Sequence, residues 1–89
     1  TIKVNAFPNP FNPKINIIFI LPFADDVNLQ IFDIKGNMVD SALNGYFEAG
    51  QHSYIWNPSA KHTNLSSGIY IISFNNGKSN TFKKIVYAK

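Results

Sequence analysis

A chain of 89 residues has room for one domain, 1–89, and folding at this size buries only about 60–65% of the surface the unfolded chain exposes, which suits one core better than a core plus a deep substrate cleft. Hydrophobic residues at 45% and aromatics at 15% are the stock of a packed, strand-rich protein and exclude a largely disordered one. The net charge of +3 comes from Lys without a single Arg, the usual bidentate reader of phosphate and guanine, which argues against nucleic acid; the lack of Cys excludes disulfides, zinc ribbons and thiol catalysis.

Runs of alternating apolar and polar residues, broken by turn residues, repeat along the chain in the pattern of a β-sandwich or barrel. Ile2 to Phe7 is the first predicted strand. Pro8-Asn9-Pro10-Phe11-Asn12-Pro13 follows. Its prolines cannot donate to a ladder, so the segment is expected to cross a sheet edge and to stiffen the approach from a preceding domain. Ile15 to Leu21 is the clearest strand, with Ile15, Ile17, Phe19 and Leu21 on one face. Its apolar run, Ile17 to Leu21, is far short of the ~20 residues of a membrane span. Pro22 and Asp25-Asp26 read as a turn. Val27 to Ile34 is the next strand, with Val27, Leu29 and Ile31 on one side. Asp33 to Asn37 reads as a hairpin turn, Asp33 accepting backbone hydrogen bonds and Gly36 supplying a positive φ.

Met38 to Leu43 is expected to return as a short strand, with Asn44-Gly45 and Ala49-Gly50 as turns. Gln51 to Asn57 places His52, Tyr54 and Trp56 on one side, and Trp56 is expected to fill the centre of the core. Pro58 to Gly68 reads as a polar loop. Ile69 to Phe74, the hairpin signal Asn75-Asn76-Gly77, and Phe82 to Ala88 complete about seven strands. No window carries helical periodicity, so the expected class is an all-β antiparallel sandwich.

The same sequence is poor in chemistry. His52, His62, Asp25, Asp26, Asp33, Asp40 and Glu48 have no metal-ligand spacing. Ser66 and Ser67 lack a G-x-S-x-G setting. Asp25 and Asp26 are neighbours on a predicted turn and point apart, and the scattered glycines make no phosphate cradle. A non-enzyme with no cofactor and no metal is expected. Asn64-Leu65-Ser66 is a glycosylation sequon and marks a surface loop. Phe11, Phe32, Phe47, Tyr54, Trp56 and Tyr70 share registers with aliphatic residues and read as core rather than as a sugar-stacking row. Lys83 and Lys84 stand in the last strand beside Ile85, Val86 and Tyr87; a terminal strand is an edge candidate able to add to a partner's sheet, and the lysines read equally as protection of that edge against aggregation.

Six collinear segments resemble one family. Phe7-Pro8-Asn9-Pro10-Phe11-Asn12-Pro13 is similar to the Y-P-N-P-F-N-P opening of the type A C-terminal sorting domains of the type IX secretion system, with Phe7 in place of Tyr. Ile15-Asn16-Ile17 and Leu21-Pro22 resemble the next strand and its stop. Val27 to Val39 resembles the hairpin V-x-L-x-I-[YF]-D-x-x-G-x-x-V. Ala49-Gly50-Gln51-His52 with Trp56, Leu65-Ser66-Ser67-Gly68-Ile69-Tyr70, and Lys83-Lys84-Ile85-Val86 with Lys89 resemble the remainder. The pattern also resembles the immunoglobulin-like domain of flagellar hook-capping proteins.

The resemblance implies an immunoglobulin-like sandwich at the C-terminus of a larger secreted protein; Thr1 in place of Met fits a fragment. It implies folding in the periplasm of a Gram-negative bacterium, reading by the outer-membrane translocon, and removal by a surface sortase that anchors the cargo. Lys83, Lys84, Ile85, Val86 and Lys89 are the expected recognition residues; Pro8, Asn9, Pro10, Asp33, Gly36, Trp56, Gly68 and Tyr70 are the expected structural ones. The alternatives are a structural or adhesive module of the same fold beside a surface enzyme, and a carbohydrate-binding module with an exposed aromatic row.

Overall fold

The computed structural model describes residues 2–58 and 65–89; Lys61, His62 and Asn64 of the sequon lie outside the described residues. Seven strands run in chain order: β1 Lys3–Phe7, β2 Ile15–Leu21, β3 Asp25–Asp33, β4 Met38–Phe47, β5 Gly50–Trp56, β6 Gly68–Asn75 and β7 Asn80–Tyr87. They form a three-stranded sheet in the order β1-β2-β5 and a four-stranded sheet in the order β4-β3-β6-β7. All strand pairings are antiparallel. β1–β2 and β3–β4 are hairpin neighbours, whereas β5 returns to the first sheet and β6 to the second. This makes an immunoglobulin-like sandwich.

Alternation builds the core. Ile15, Ile17, Phe19 and Leu21 of β2 and Val27, Leu29 and Ile31 of β3 are all buried, as the period-2 reading requires. Trp56 is fully buried, and its indole N–H donates to Asp40 Oδ2 at 2.8 Å, joining β5 to β4 across the layers. The Tyr70 hydroxyl donates to the Ser66 carbonyl at 2.7 Å. This contact, from the start of β6 to a backbone oxygen just upstream, has the form of the tyrosine corner that fixes the approach to the corresponding strand in immunoglobulin sandwiches.

Two expectations are corrected. Asn44-Gly45 is not a turn: β4 continues to Phe47, with Asn44 opposite Asn28 and Gly45 opposite Val27. The register shifts at Leu29/Gln30 and at Ile31/Phe32. These bulges lie within Met38 to Leu43, already expected as strand; at Asn44-Gly45 the regular pairing with β3 overrides the local turn preference of the dipeptide. Asp25-Asp26 is not a turn either, because β3 begins there. The Asp25 carboxylate accepts the Asp26 N–H at 2.8 Å and the Asn76 amide at 3.1 Å, which ties β3 to the β6–β7 turn.

The β3–β4 turn is organised by one carboxylate. Asp33 accepts the backbone N–H groups of Lys35 at 2.9 Å and Asn37 at 3.0 Å, and Gly36 takes a φ of 89°. The Asn37 N–H holds the Asp33 carboxyl below its usual range; partial burial opposes this, and Lys35 adds to it. A depressed folded-state pKa stabilises above the unfolded carboxylate range and is lost as pH falls through the folded value. The gap in urea midpoint between the wild type and Asp33→Ala is therefore expected to be widest at neutral pH and to shrink in acid, which parallel melts at pH 7 and pH 3 will measure.

Candidate recognition surface

The motif residues, scattered along the sequence, meet at one pole of the sandwich. β1 ends there at Phe7, which pairs with Asn16 near the start of β2. Trp56, the end of β5, pairs with Ile15. Asp33 pairs with Tyr70, and Gly68 with Tyr87. The proline-rich segment, the Asp33–Asn37 turn, the start of β6 and the end of β7 thus share one end of the molecule. A cleft of about 310 Å³ separates the Asp33–Asn37 turn from Ser66–Tyr70.

The proline-rich segment clamps β7. The Asn9 side chain donates to the Lys84 carbonyl at 3.1 Å and accepts the Val86 N–H at 2.9 Å. One amide thus does the work of a short strand, satisfying two backbone groups where the flanking Pro8 and Pro10 supply no N–H. Phe11 continues the pairing through its backbone: its N–H donates to Val86 and its carbonyl accepts from Ala88, both at 2.9 Å. Its ring, 1% exposed, lies 5.1 Å from Tyr87 and 5.9 Å from Trp56. The segment follows β1 inside the domain, so it is a lid on β7 rather than a stiffener before the domain. Asn9→Ala removes both side-chain bonds but leaves water access to the exposed partners; a loss of about 1–2 kcal/mol is expected in chemical denaturation.

This clamp revises the picture of β7 as an open edge. From Lys84 to Ala88 the edge is occupied. Among the described residues, the half of β7 before Lys84 has no backbone partner on that side. There Lys83 and Lys3 flank a groove of about 490 Å³ floored by Val4, Ile18 and Ile20, where the free edges of β1 and β7 approach.

The expected recognition residues differ in access. Lys83, Lys84 and Lys89 are exposed, Val86 is half-buried, and Ile85 is fully buried. The Ile85 side chain supports the core, and a partner touching it would have to open the sheet. Lys89 is docked: its backbone N–H donates to Ser67 Oγ at 3.0 Å and its Nζ to the Leu65 carbonyl at 3.3 Å. Of the expected structural residues, Pro8, Asn9 and Pro10 are exposed on the lid, whereas Trp56 and Tyr70 are core. Burial pushes the Tyr70 hydroxyl up, with Asp33 and Tyr87 adding to the effect, which keeps it a neutral donor to Ser66. Sequence reasoning missed Lys3 as a neighbour of Lys83, since nothing local links residues at opposite ends of a chain.

The exposed aromatics do not form a row. Phe7 stands on the outer face of the three-stranded sheet, Phe23 in the β2–β3 turn, Tyr46 on the outer strand β4 and Phe82 on the outer face of β7. Among the described residues, no three His, Cys, Asp or Glu side chains converge. Away from the pole the surface offers the exposed Lys83 and the open stretch of β7 before Lys84, and at the pole a docked Lys89.

A family model described as a secretion system C-terminal sorting domain matches residues 5–88, from β1 to the residue after β7. No curated protein matches the chain.

Proposed function

Because the chain belongs to the family of type IX secretion C-terminal sorting domains, we propose that it is a non-catalytic signal by which the outer-membrane translocon exports the protein that precedes it, for release or for attachment to the cell surface by a sortase. The observation that supports this most is the family match over nearly the whole chain, together with the gathering of the motif residues at the pole where Lys89 docks. The exposed Lys83 and Lys84, with the docked Lys89, give a cationic approach that raises the encounter rate with an acidic receptor surface. The cargo passes through the periplasm and carries the biological activity; the domain carries the address.

The test is a fusion of a Sec signal, a fluorescent reporter and residues 1–89 in a bacterium with type IX secretion. The wild-type fusion is expected at the surface or in the medium. Charge reversal at the exposed side chains, Lys83→Glu with Lys84→Glu, is expected to leave it folded but held in the periplasm. Export of the reversed variant at the wild-type level would remove the lysines from recognition. Retention of the folded wild-type fusion, while the host exports its own cargo, would leave a structural immunoglobulin-like module.

A further inference from the structure

The lid covers the edge of β7 over only part of its length, and its bonds show how the rest would be paired. On the side away from β6, the Lys84 carbonyl accepts from Asn9, Val86 donates to Asn9 and accepts from Phe11, and Ala88 donates to Phe11. Backbone groups of alternate residues point to the same side of a strand. The even-numbered residues of β7 therefore face outward, and Thr81, Lys83, Ile85 and Tyr87 bond to β6. Upstream of the lid, the same alternation puts the Lys84 N–H and the N–H and carbonyl of Phe82 on the open side. Among the described residues, none of these three groups has a partner there.

The chain path explains the opening. From Lys3 to Phe7 the chain is β1 and pairs with β2 in the other sheet. It crosses over at the prolines and reaches β7 only with Asn9 and Phe11. Before the crossing, β7 is left without a neighbour in its own sheet. The groove of about 490 Å³ runs there, lined by Ile2, Val4, Ile18 and Ile20. The charged side chains on it are Lys3 and Lys83, both exposed, and no acid lines it.

We propose that this groove takes an extended acidic segment of a partner protein, which adds to β7 upstream of the lid as the lid adds downstream. Its main chain bonds the Phe82 N–H and carbonyl and the Lys84 N–H, and its carboxylates meet Lys3 and Lys83. The proposal rests on the export reading and deepens it by naming what the receptor presents: apolar residues alternating with Asp or Glu. Alternate side chains of an added strand face the same way, so one set rests on the apolar lining while the lysines select the acids.

Other occupants fit less well. A nucleic acid draws on many phosphate contacts, and this groove supplies two lysines. A strand edge repeats donor and acceptor at the spacing of a peptide backbone, which a glycan does not match. A second copy of this chain would bring its own Lys83 and Lys84 against these, and like charges directly opposite destabilise a strand pair. The same lysines thus guard the edge against self-pairing and admit an acidic partner.

The test titrates the isotope-labelled chain with two capped peptides, Thr-Val-Glu-Val-Asp-Val-Thr and Thr-Ile-Asp-Ile-Glu-Ile-Thr, and with a version of the first that carries Lys in place of both acids. Backbone amide NMR signals and hydrogen exchange are followed. At least one acidic peptide is expected to give saturable shifts by about 1 mM, centred on Phe82 and Lys84, and to slow exchange of those two amides. Val86 and Ala88, already bonded to the lid, are expected to change little. The lysine peptide is expected to bind roughly tenfold more weakly, and Lys3→Glu with Lys83→Glu to weaken the acidic peptide roughly threefold to tenfold. Phe82→Pro removes an outward N–H that β6 does not use, a change that edge strands tolerate. It is expected to stay folded, to lose the peptide, and to hold the reporter fusion in the periplasm, whereas Phe82→Ala keeps the N–H and is expected to bind more tightly than the proline variant. The proposal is overturned by the absence of saturable shifts with both acidic peptides, which would leave the lysines as guards of the edge alone. It is overturned equally by shifts centred elsewhere, by equal binding of the lysine peptide, by unslowed exchange at Phe82 and Lys84, or by the same shifts appearing when protein concentration alone is raised, which would make the occupant a second copy. Export of the folded Phe82→Pro fusion at the wild-type level overturns it while leaving the export reading intact; retention of the wild-type fusion removes the export reading, and the peptide titration then decides the edge by itself.

Discussion

Trp56→Ala is expected to cost about 3–5 kcal/mol, the range for truncating a large buried aromatic side chain. The ring is fully buried, lies 5.9 Å from Phe11 and 6.3 Å from Tyr70, and donates its N–H to Asp40. Removing it leaves a cavity between the two sheets and takes a donor from the Asp40 carboxylate. Domains of this kind hold only about 5–15 kcal/mol in total, so the variant keeps a fraction of its stability. Its thermal midpoint is expected to fall by about 12 °C or more. Trp56→Phe, which retains much of the volume but not the N–H, is expected to lose less than the alanine variant. Calorimetry on the three proteins checks both the size and the order. A loss for alanine under about 1 kcal/mol would mean that Trp56 is not the centre of the core.

Deleting Phe82 to Lys89 is expected to abolish cooperative folding. The cut removes Ile85 and Tyr87, which are 0% and 2% exposed, each worth about 1.5–3 kcal/mol in apolar burial if Tyr87 is scored with the other large side chains. It also strips β6 of one ladder, uncovers Phe11, and leaves Asn9 with nothing to clamp. The expected observation is loss of the near-ultraviolet circular dichroism signal and of a sigmoidal urea transition; a truncated chain with a sharp transition would contradict the packing described for β7. This bears on how the sorting signal is located. Failure of such a truncation to leave the cell reports unfolding as readily as a lost signal, whereas Lys83→Glu with Lys84→Glu changes exposed charge and leaves the buried face of β7 in place.

The face of each strand was legible wherever alternation was regular. Val27 to Ile31 alternates without a break, and in Ile15 to Leu21 every second residue is buried as the period-2 reading placed it, although Ile18 and Ile20 on the other face are apolar too. The turn at Asp33–Asn37 was legible because its hydrogen bonds reach no more than four residues. β4 was misread at Asn44-Gly45, a turn dipeptide that here continues the ladder opposite Asn28 and Val27. The lid role of the proline-rich segment was not legible, because prolines announce the missing donors of a segment and not what covers it.

By itself the sequence determined an all-β sandwich, the inward faces of its regular strands, its tight turn, and through its collinear motifs its family. These depend on short-range stereochemistry and on motif order, both written along the chain. Only the tertiary structure decided that Asn9 closes on Lys84 and Val86, 75 and 77 residues away, and that Lys3 faces Lys83 across a groove. The reason is physical: the pairing of distant strands is set by how two sheets share one core, and no local rule of alternation, turn or charge carries that information.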